Sequence, residues 1–394
     1  MIADRQTIDS AIIKAGCLID GSGAPARMNV FLSVLEGRIK TICGVKPDSS
    51  LPFIDLSDRT LLPLLIDCHV HLFLDSETSG EERQRQMSAG YKTLRPVIHR
   101  HVDNHLQCGV TAVRDGGDPG GFTAQYKNGR TRQQTNGFCI RTSGRAWYKK
   151  GRYGRIVGGP PLPGRDMLAA IDRETDRVDQ IKIINSGLNS LSEFGWQSEP
   201  QFTADELAAV VALARNKKKG VMVHANGLLP VREAVAAGVS SIEHGFFMGR
   251  ENLERMAEKE VFWVPTAVTM RAFSDLGREG GTVAARNLEN QLTQIGWARE
   301  TGVRVALGTD AGSPGVNHGF SVRKEMLLLT KAGYSVEQAV QCATANGAAL
   351  LELPQAGLLS PGRPADFLAV GSGKEDLLRP GHKLSIFRAN LSRR

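Results

Sequence analysis

Between residues 60 and 356 one pattern recurs: a short apolar run, a polar break, then a stretch of helical period. The apolar runs fall at 64–70, 110–114, 138–142, 180–184, 221–224, 239–243, 261–265 and 303–309. Helical stretches include 81–107, 203–218, 229–237, 250–259, 283–300 and 320–332. Short, almost wholly apolar runs bounded by turn residues suit strands covered on both faces, as in parallel sheets. Thr203-Ala-Asp-Glu206 has the form of a capping box opening an apolar repeat. Eight strands alternating with helices predict an α/β fold, specifically a (β/α)8 TIM barrel. A doubly wound open sheet would call for a glycine-rich phosphate loop after the first strand, and none is present. Gly371-Ser-Gly-Lys374 lacks both the upstream glycine spacing and the following Ser or Thr of such a loop.

The two ends of the chain have a different texture. Residues 11 to 59 alternate apolar and polar positions around glycine turns such as Asp20-Gly-Ser-Gly23 and Glu36-Gly-Arg38. The tail repeats this with Gly357-Leu-Leu-Ser-Pro-Gly362 and Ala365-Asp-Phe-Leu-Ala-Val370. Neither end has enough strands to close a core alone. The expectation is a small β-sandwich domain built from 1–59 plus 357–394, flanking a barrel over 60–356.

With 49 basic against 41 acidic residues the net charge is +8, which would permit nucleic-acid or membrane contact. The basic residues are scattered, however. Lys217-Lys-Lys219 closes a helical stretch, where lysine suits the helix dipole, and Arg393-Arg394 is a tail. No basic and aromatic module of a nucleic-acid binder appears, and no apolar run is long enough to span a membrane. Six cysteines without a Cys-x-x-Cys pair, and an N-terminus without a secretory signal, predict reduced thiols and a cytoplasmic location. The expected partner is a small-molecule substrate, with no nucleic acid and no membrane.

The first apolar run, Leu61-Leu-Pro-Leu-Leu-Ile-Asp-Cys-His-Val-His71, ends in two histidines one residue apart. Residues i and i+2 of a strand share a face, so His69 and His71 aim two imidazoles at one point. Imidazole is a common ligand for zinc and similar ions, although any half-buried strand can carry such a pair. The other strand ends strengthen the reading. Lys182 lies in Gln180-Ile-Lys-Ile-Ile-Asn185, His224 ends Val221-Met-Val-His224, His244 lies in Ser241-Ile-Glu-His-Gly245, and Asp310 in Ala306-Leu-Gly-Thr-Asp-Ala-Gly312. Barrel enzymes carry their chemistry at the C-terminal ends of strands. Four of the nine histidines fall at such ends; those at 99, 101, 105, 318 and 382 fall in a helix, a loop and the tail. Taken singly, each residue also has a structural role open to it: a snorkelling lysine, hydrogen-bonded core histidines, an aspartate capping a loop. An ammonium among isoleucines is nevertheless costly without a partner.

This pattern resembles the amidohydrolase superfamily over nearly the whole chain, within its prolidase-like and imidazolonepropionase-like branch. Gly109-Val-Thr-Ala-Val-Arg-Asp115, Val264-Pro-Thr266 and Pro361-Gly-Arg-Pro-Ala-Asp366 are similar as well. The resemblance implies two divalent metal ions, with zinc the expected metal. His69, His71 and Asp310 would hold the buried ion, His224 and His244 the outer one, and Lys182, carbamylated by CO2, would bridge them. It further implies hydrolysis of an amide bond by water acidified at the metals, with Asp310 as the catalytic proton carrier. Two departures stand out: Ser186-Gly187-Leu188 where relatives have Ser-Gly-Gly, and Leu64 where they have Pro-Gly.

A lactonase or phosphotriesterase-like hydrolase would use the same ligands. A ring deaminase would carry a glutamate where this chain has His224-Ala-Asn-Gly227. A non-catalytic barrel scaffold would be expected to have lost ligands. For the substrate, the segment Gly144–Arg155 follows the third strand, where loops face the site. Arginine forks suit a carboxylate, so Arg152, Tyr153 and Arg155 are candidates for holding one. His318, shortly after Asp310, is a further substrate candidate. Similar proteins form symmetric homo-oligomers, and the sequence leaves assembly open.

Overall fold

The computed structural model describes residues 4–130, 137–162, 164, 166–277, 280–371, 373–378 and 384–390; His382 and Arg393-Arg394 lie outside them. The strands are β1 (Asp4–Ile8), β2 (Ala11–Leu18), β3 (Arg27–Leu35), β4 (Arg38–Cys43), β5 (Phe53–Pro63), β6 (Leu65–Val70), β7 (Val110–Asp115), β8 (Cys139–Thr142), β9 (Ala146–Trp147), β10 (Gly158–Gly159), β11 (Gln180–Ile184), β12 (Gly220–Ala225), β13 (Ser241–His244), β14 (Phe262–Val264), β15 (Phe367–Val370) and β16 (Ser385–Ala389). The helices are α1 (Gly80–Ser88), α2 (Tyr91–Gln107), α3 (Phe122–Asn128), α4 (Met167–Thr175), α5 (Ala204–Asn216), α6 (Leu228–Ala237), α7 (Gly249–Glu258), α8 (Val268–Asp275), α9 (Gly281–Thr301), α10 (Ser321–Lys331), α11 (Val336–Ala343) and α12 (Ala345–Leu350).

Both chain ends enter one seven-stranded sheet in the order β1-β16-β15-β5-β2-β3-β4. The central strands form two parallel arcs, β6-β7-β8 and β10-β9-β11-β12-β13-β14. Burial follows the difference in pairing. β6, β11 and β13 are buried at every residue, as strands covered on both faces must be. β3 instead alternates buried and half-exposed positions along its second half. Helices pack their apolar stripes onto the outside of the arcs: α5 buries Leu207, Val210, Val211 and Ala214, and its capping box at Thr203 and Glu206 is formed.

The expected last strand, 303–309, departs from regular geometry. Its backbone nonetheless binds both arcs: Trp263 N donates to Arg304 O at 3.1 Å, Ala306 N to Trp263 O at 2.9 Å, Cys68 N to Leu307 O at 2.8 Å, and Asp310 N to His69 O at 2.7 Å. Isolated bridges pair Trp263 with Val305 and Val70 with Ala311. The irregularity follows from close approach. A Cβ at Gly308 would sit 2.3 Å from a Val264 methyl carbon and 2.9 Å from His69 N, so only glycine lets the chain pass. Among the described residues, no helix is long and apolar enough to cross a membrane.

Candidate metal centre

The register of the arcs places the ligand candidates together. Ile184 of β11 is paired with His224 of β12, and Ala225 with His244 of β13. The rings of His69 and His244 lie 4.9 Å apart by centroid, and those of His224 and His244 4.6 Å apart. Asp310 Oδ1 stands 3.5 Å from His69 Nε2 and 3.4 Å from His71 Nε2. The donor atoms of His69, His71 and Asp310 all lie within 4.8 Å of one another, as one ion requires. His244 and Asp310 have positive φ (69° and 57°), so the chain turns sharply at both strand ends as it delivers these side chains.

Each histidine is fixed through one ring nitrogen. His69 Nδ1–H donates to Glu243 Oε2 at 2.7 Å, His71 Nδ1–H to Gly117 O at 2.9 Å, and His224 Nε2–H to Gly187 O at 3.1 Å. His244 Nδ1 meets the Thr266 hydroxyl at 2.7 Å. A histidine tied to an acceptor by one nitrogen presents the other as a lone pair. Burial, reinforced by the Lys182 charge, holds His71 down to about 4 and His224 down to about 3, and pushes His69 well below the usual imidazole range. Burial and the neighbouring His224 do the same for His244. The imidazoles are therefore neutral at pH 7, the form that binds a metal.

Two atoms test whether the site suits metal ions. His69 Nε2 and Lys182 Nζ are buried and have no hydrogen-bond partner among the described residues. An unsatisfied buried donor or acceptor costs about 1–3 kcal/mol, more when charged. Lys182 is 1% exposed, and burial lowers its ammonium to about 8. A cluster of neutral imidazoles, a carboxylate and an unsatisfied lysine fits divalent cations and their bridging ligand.

Glu243 and Arg114 form a support that sequence reading did not single out. Glu243 is wholly buried; its Oε1 accepts from Arg114 Nη2 at 2.7 Å and from the Ser241 hydroxyl at 2.5 Å, while its Oε2 holds His69. Arg114 also donates to Cys68 O, so β6, β7 and β13 are locked around one carboxylate. Asp67 ties β6 to the 303–311 segment, accepting from Thr309 N at 3.0 Å and the Thr309 hydroxyl at 2.6 Å. The advance signal was position: Glu243 stands beside the ligand candidate His244 at the end of β13, and Arg114 lies at the end of β7.

The site opens into a cavity of about 270 Å³. Among the substrate candidates from sequence, Tyr153 lines it, with its ring 5.4 Å from that of His224. Arg152 and Arg155 do not; both are exposed, and Arg152 donates to Glu199 O at 2.8 Å. His318 is also outside the cavity. It is buried, its Nε2–H donates to Leu74 O at 2.8 Å, and its Nδ1 faces His105 Nε2 at 3.3 Å. With both nitrogens spent inside the fold, His318 is a structural residue and not a substrate contact. The cavity contains instead an arginine that sequence reading passed over, Arg83 on α1.

Comparison with known proteins agrees with this geometry. The amidohydrolase family pattern matches residues 60–390. Ochratoxinase of Aspergillus niger is 27% identical over 410 aligned positions, covering 94% of this chain and 83% of that protein. Imidazolonepropionase of Rhodococcus jostii (strain RHA1) is 24% identical over 331 positions, covering 80% of this chain and 75% of that one. Among solved structures, a Xaa-Pro dipeptidase with methionine bound in its active site is 27% identical, with a TM-score of 0.77 over 94% of this chain and 96% of that chain. Phenylurea hydrolase B, at 18% identity and a TM-score of 0.76 over 96% of each chain, shares the fold.

Proposed function

The chain belongs to the amidohydrolase family and is a hydrolase of carbon–nitrogen bonds, and on that premise we propose that it cleaves the amide bond of a small N-acyl amino acid or dipeptide at a two-metal centre. His69, His71 and Asp310 would hold one ion and His224 and His244 the other, with carbamylated Lys182 as a further, anionic ligand. Divalent ions held there, with zinc the expected metal, would supply Lewis-acid polarisation of the carbonyl and a water acidified toward a pKa of about 7. The observation that carries the reading is Lys182. Its burial lowers the ammonium to about 8, so a neutral amine fraction exists near pH 7. Neutral amine is the form that adds CO2, and the carbamate turns an unsatisfied buried cation into an anionic ligand.

The chain's own groups account for the proton. Burial raises the Asp310 carboxyl to about 6, while the Ser313 hydroxyl donates to its Oδ2 at 2.9 Å. A carboxylate with a pKa close to neutral accepts and returns a proton readily. In hydrolysis the water oxygen bonds to the carbonyl carbon, and the C–N bond breaks with its electron pair on nitrogen. The water's proton passes through Asp310 to that nitrogen, which is otherwise a poor leaving group.

The architecture proposed around this site is a closed (β/α)8 barrel over 60–356, with a small β-sandwich of 1–59 plus 357–394. Hydrogen bonds from the 303–311 segment to both arcs support closure. One apolar cluster shared by Ile13, Leu32, Phe367 and Phe387 supports a sheet that curls into two layers. Six free cysteines accord with a cytoplasmic protein.

Metal analysis of the wild type and of Lys182→Ala, with turnover of N-acyl amino acids, tests the reading. Two ions per chain and amide cleavage, both lost or halved in the variant, are expected. One ion unaffected by the substitution would refute the bridged pair.

A further inference from the structure

We propose that Glu325, on α10, is a positioning residue for the outer metal ion, holding Thr266 in the left-handed conformation from which its hydroxyl fixes His244. This role rests on the two-metal reading above and concerns the shape of one of its two sites.

His244 ends β13, and Thr266 follows the neighbouring strand β14. Both adopt left-handed backbone, with φ of 69° and 48°. Such a φ is costly for a β-branched residue like Thr266, and it persists only where the surroundings impose it. The conformation has a use. His244 can ligate through Nε2 when Nδ1 carries the proton, and the acceptor for Nδ1–H is Thr266 Oγ1 at 2.7 Å. A relaxed Thr266 would carry that hydroxyl away from the ring.

Two helices impose the conformation, one on each side of the threonine. Before it, Gln291 Nε2 of α9 donates to Pro265 O at 3.1 Å and to His244 O at 2.5 Å. After it, the two oxygens of Glu325 accept from Ala267 N at 2.9 Å and Val268 N at 2.7 Å. These N–H groups open α8, a helix whose own N-cap position, Ala267, offers no side-chain acceptor. Glu325 caps it from 57 positions further along the chain.

A carboxyl group is a costly choice for this place. Glu325 is wholly buried, and that burial raises its carboxyl to about 8. The charge that acts on it, Asp67, has the same sign and opposes ionisation. A leucine would fill the space without desolvating a polar group. What a leucine cannot do is accept two backbone N–H groups and so fix the peptide that follows Thr266.

The test strips the protein of metal, reloads it with zinc and bicarbonate, and reads both affinities by competition with a chelator. His244→Ala, which removes an outer ligand, identifies the affinity that belongs to the outer ion. In Glu325→Gln, whose amide can accept only one of the two N–H groups, the outer ion should bind about 10- to 100-fold more weakly. The inner ion should change by less than about threefold. Should Glu325→Gln fail to fold, Glu325→Asp, which withdraws the carboxyl by one methylene, carries the same expectation. Thr266→Val should weaken the same ion, and the double variant should be no weaker than the weaker single one, because both changes break one chain of contacts. Leu207→Ala, a buried change in α5, should lower the melting temperature and leave both affinities as they are. Equal losses at both ions, losses that add in the double variant, or an outer affinity that Glu325→Gln leaves unchanged would overturn the assignment with the two-metal centre standing. A wild type that binds one ion or none overturns the two-metal reading and this assignment together.

Discussion

Two groups of histidines lie on either side of the loop that follows β6, and they differ in how their ring nitrogens are used. His69, His71, His224 and His244 each spend one nitrogen on the protein and line the cavity. Behind the loop, His101 and His318 stack at 3.9 Å and spend both. His101 faces Leu72 O at 2.8 Å and Asp75 Oδ1 at 2.7 Å, and His318 faces Leu74 O and His105. Residue type and burial are the same in both groups. Ligand capacity lies in the second nitrogen, and the buried group contributes by gripping Leu72 and Leu74, immediately after His71.

Substitution within the site should have the largest effect. Asp310→Asn would remove the proposed proton carrier together with a proposed anionic ligand, so on the proposed N-acyl amino acid substrate kcat should fall by about 10²- to 10⁴-fold. His318→Ala, by contrast, should leave metal content intact and cost about 1–3 kcal/mol in chemical denaturation by orphaning buried polar groups. Should His318→Ala strip metal from the protein, the separation of the two groups would be wrong.

Glu243→Gln probes the boundary between scaffold and site. The change weakens the acceptor for His69 Nδ1–H and leaves Arg114 buried beside a neutral partner. Loss of a carboxylate behind a ligating histidine typically weakens metal binding by about 10- to 100-fold, measurable by competition with a chelator. Breaking the buried pair should also destabilise the fold by about 3–5 kcal/mol. Unchanged metal affinity with reduced stability would make Glu243 purely structural, like the rear histidines.

Acid titration should expose those rear histidines. Burial, with a smaller push from His101, holds His105 down to about 3, against about 6.5 in an unfolded chain. Between those values the unfolded chain binds a proton that the folded chain does not, so stability falls as pH drops below about 6.5. At pH 5 this one group accounts for about 2 kcal/mol. In His105→Phe the loss in denaturation midpoint between pH 7.5 and pH 5 should shrink accordingly; an unaltered slope would mean that the ring is reached by protons without unfolding.

Legibility from sequence divides along the same line. His69 and His71 are readable because strand alternation is local, and Lys182, His224, His244 and Asp310 because strand ends can be found from apolar runs. Glu243 supports His69 across 174 positions of sequence, and no local pattern announces such a contact. Arg83 was hidden by the reading of 81–107 as a single helix. Ala89, with ψ of 148°, and the extended Gly90 break it into α1 and α2, which puts Arg83 at the cavity. His318 follows Asp310 closely in sequence, yet Gly319, with φ of 76°, packs against the backbone of Asn104 and His105, so the segment turns to the rear group.

The smallest effect is expected at the arginines that the sequence favoured. Arg152 and Arg155 flank Tyr153 but are exposed and stand outside the cavity, where Tyr153 alone of the three is found. Arg152 is satisfied by Glu199 O in a solvent-accessible hydrogen bond. Replacing either with alanine should alter kcat/KM on an N-acyl amino acid by no more than about twofold, the scale of surface substitutions away from special features. The measurement is sharpest beside Arg83→Met on the same substrate, since both changes remove one positive charge. Equal losses would mean that overall charge steers the substrate, and lowering the salt concentration would then amplify all three effects. A loss confined to Arg83 would mean that the anion is held by one fixed fork inside the cavity.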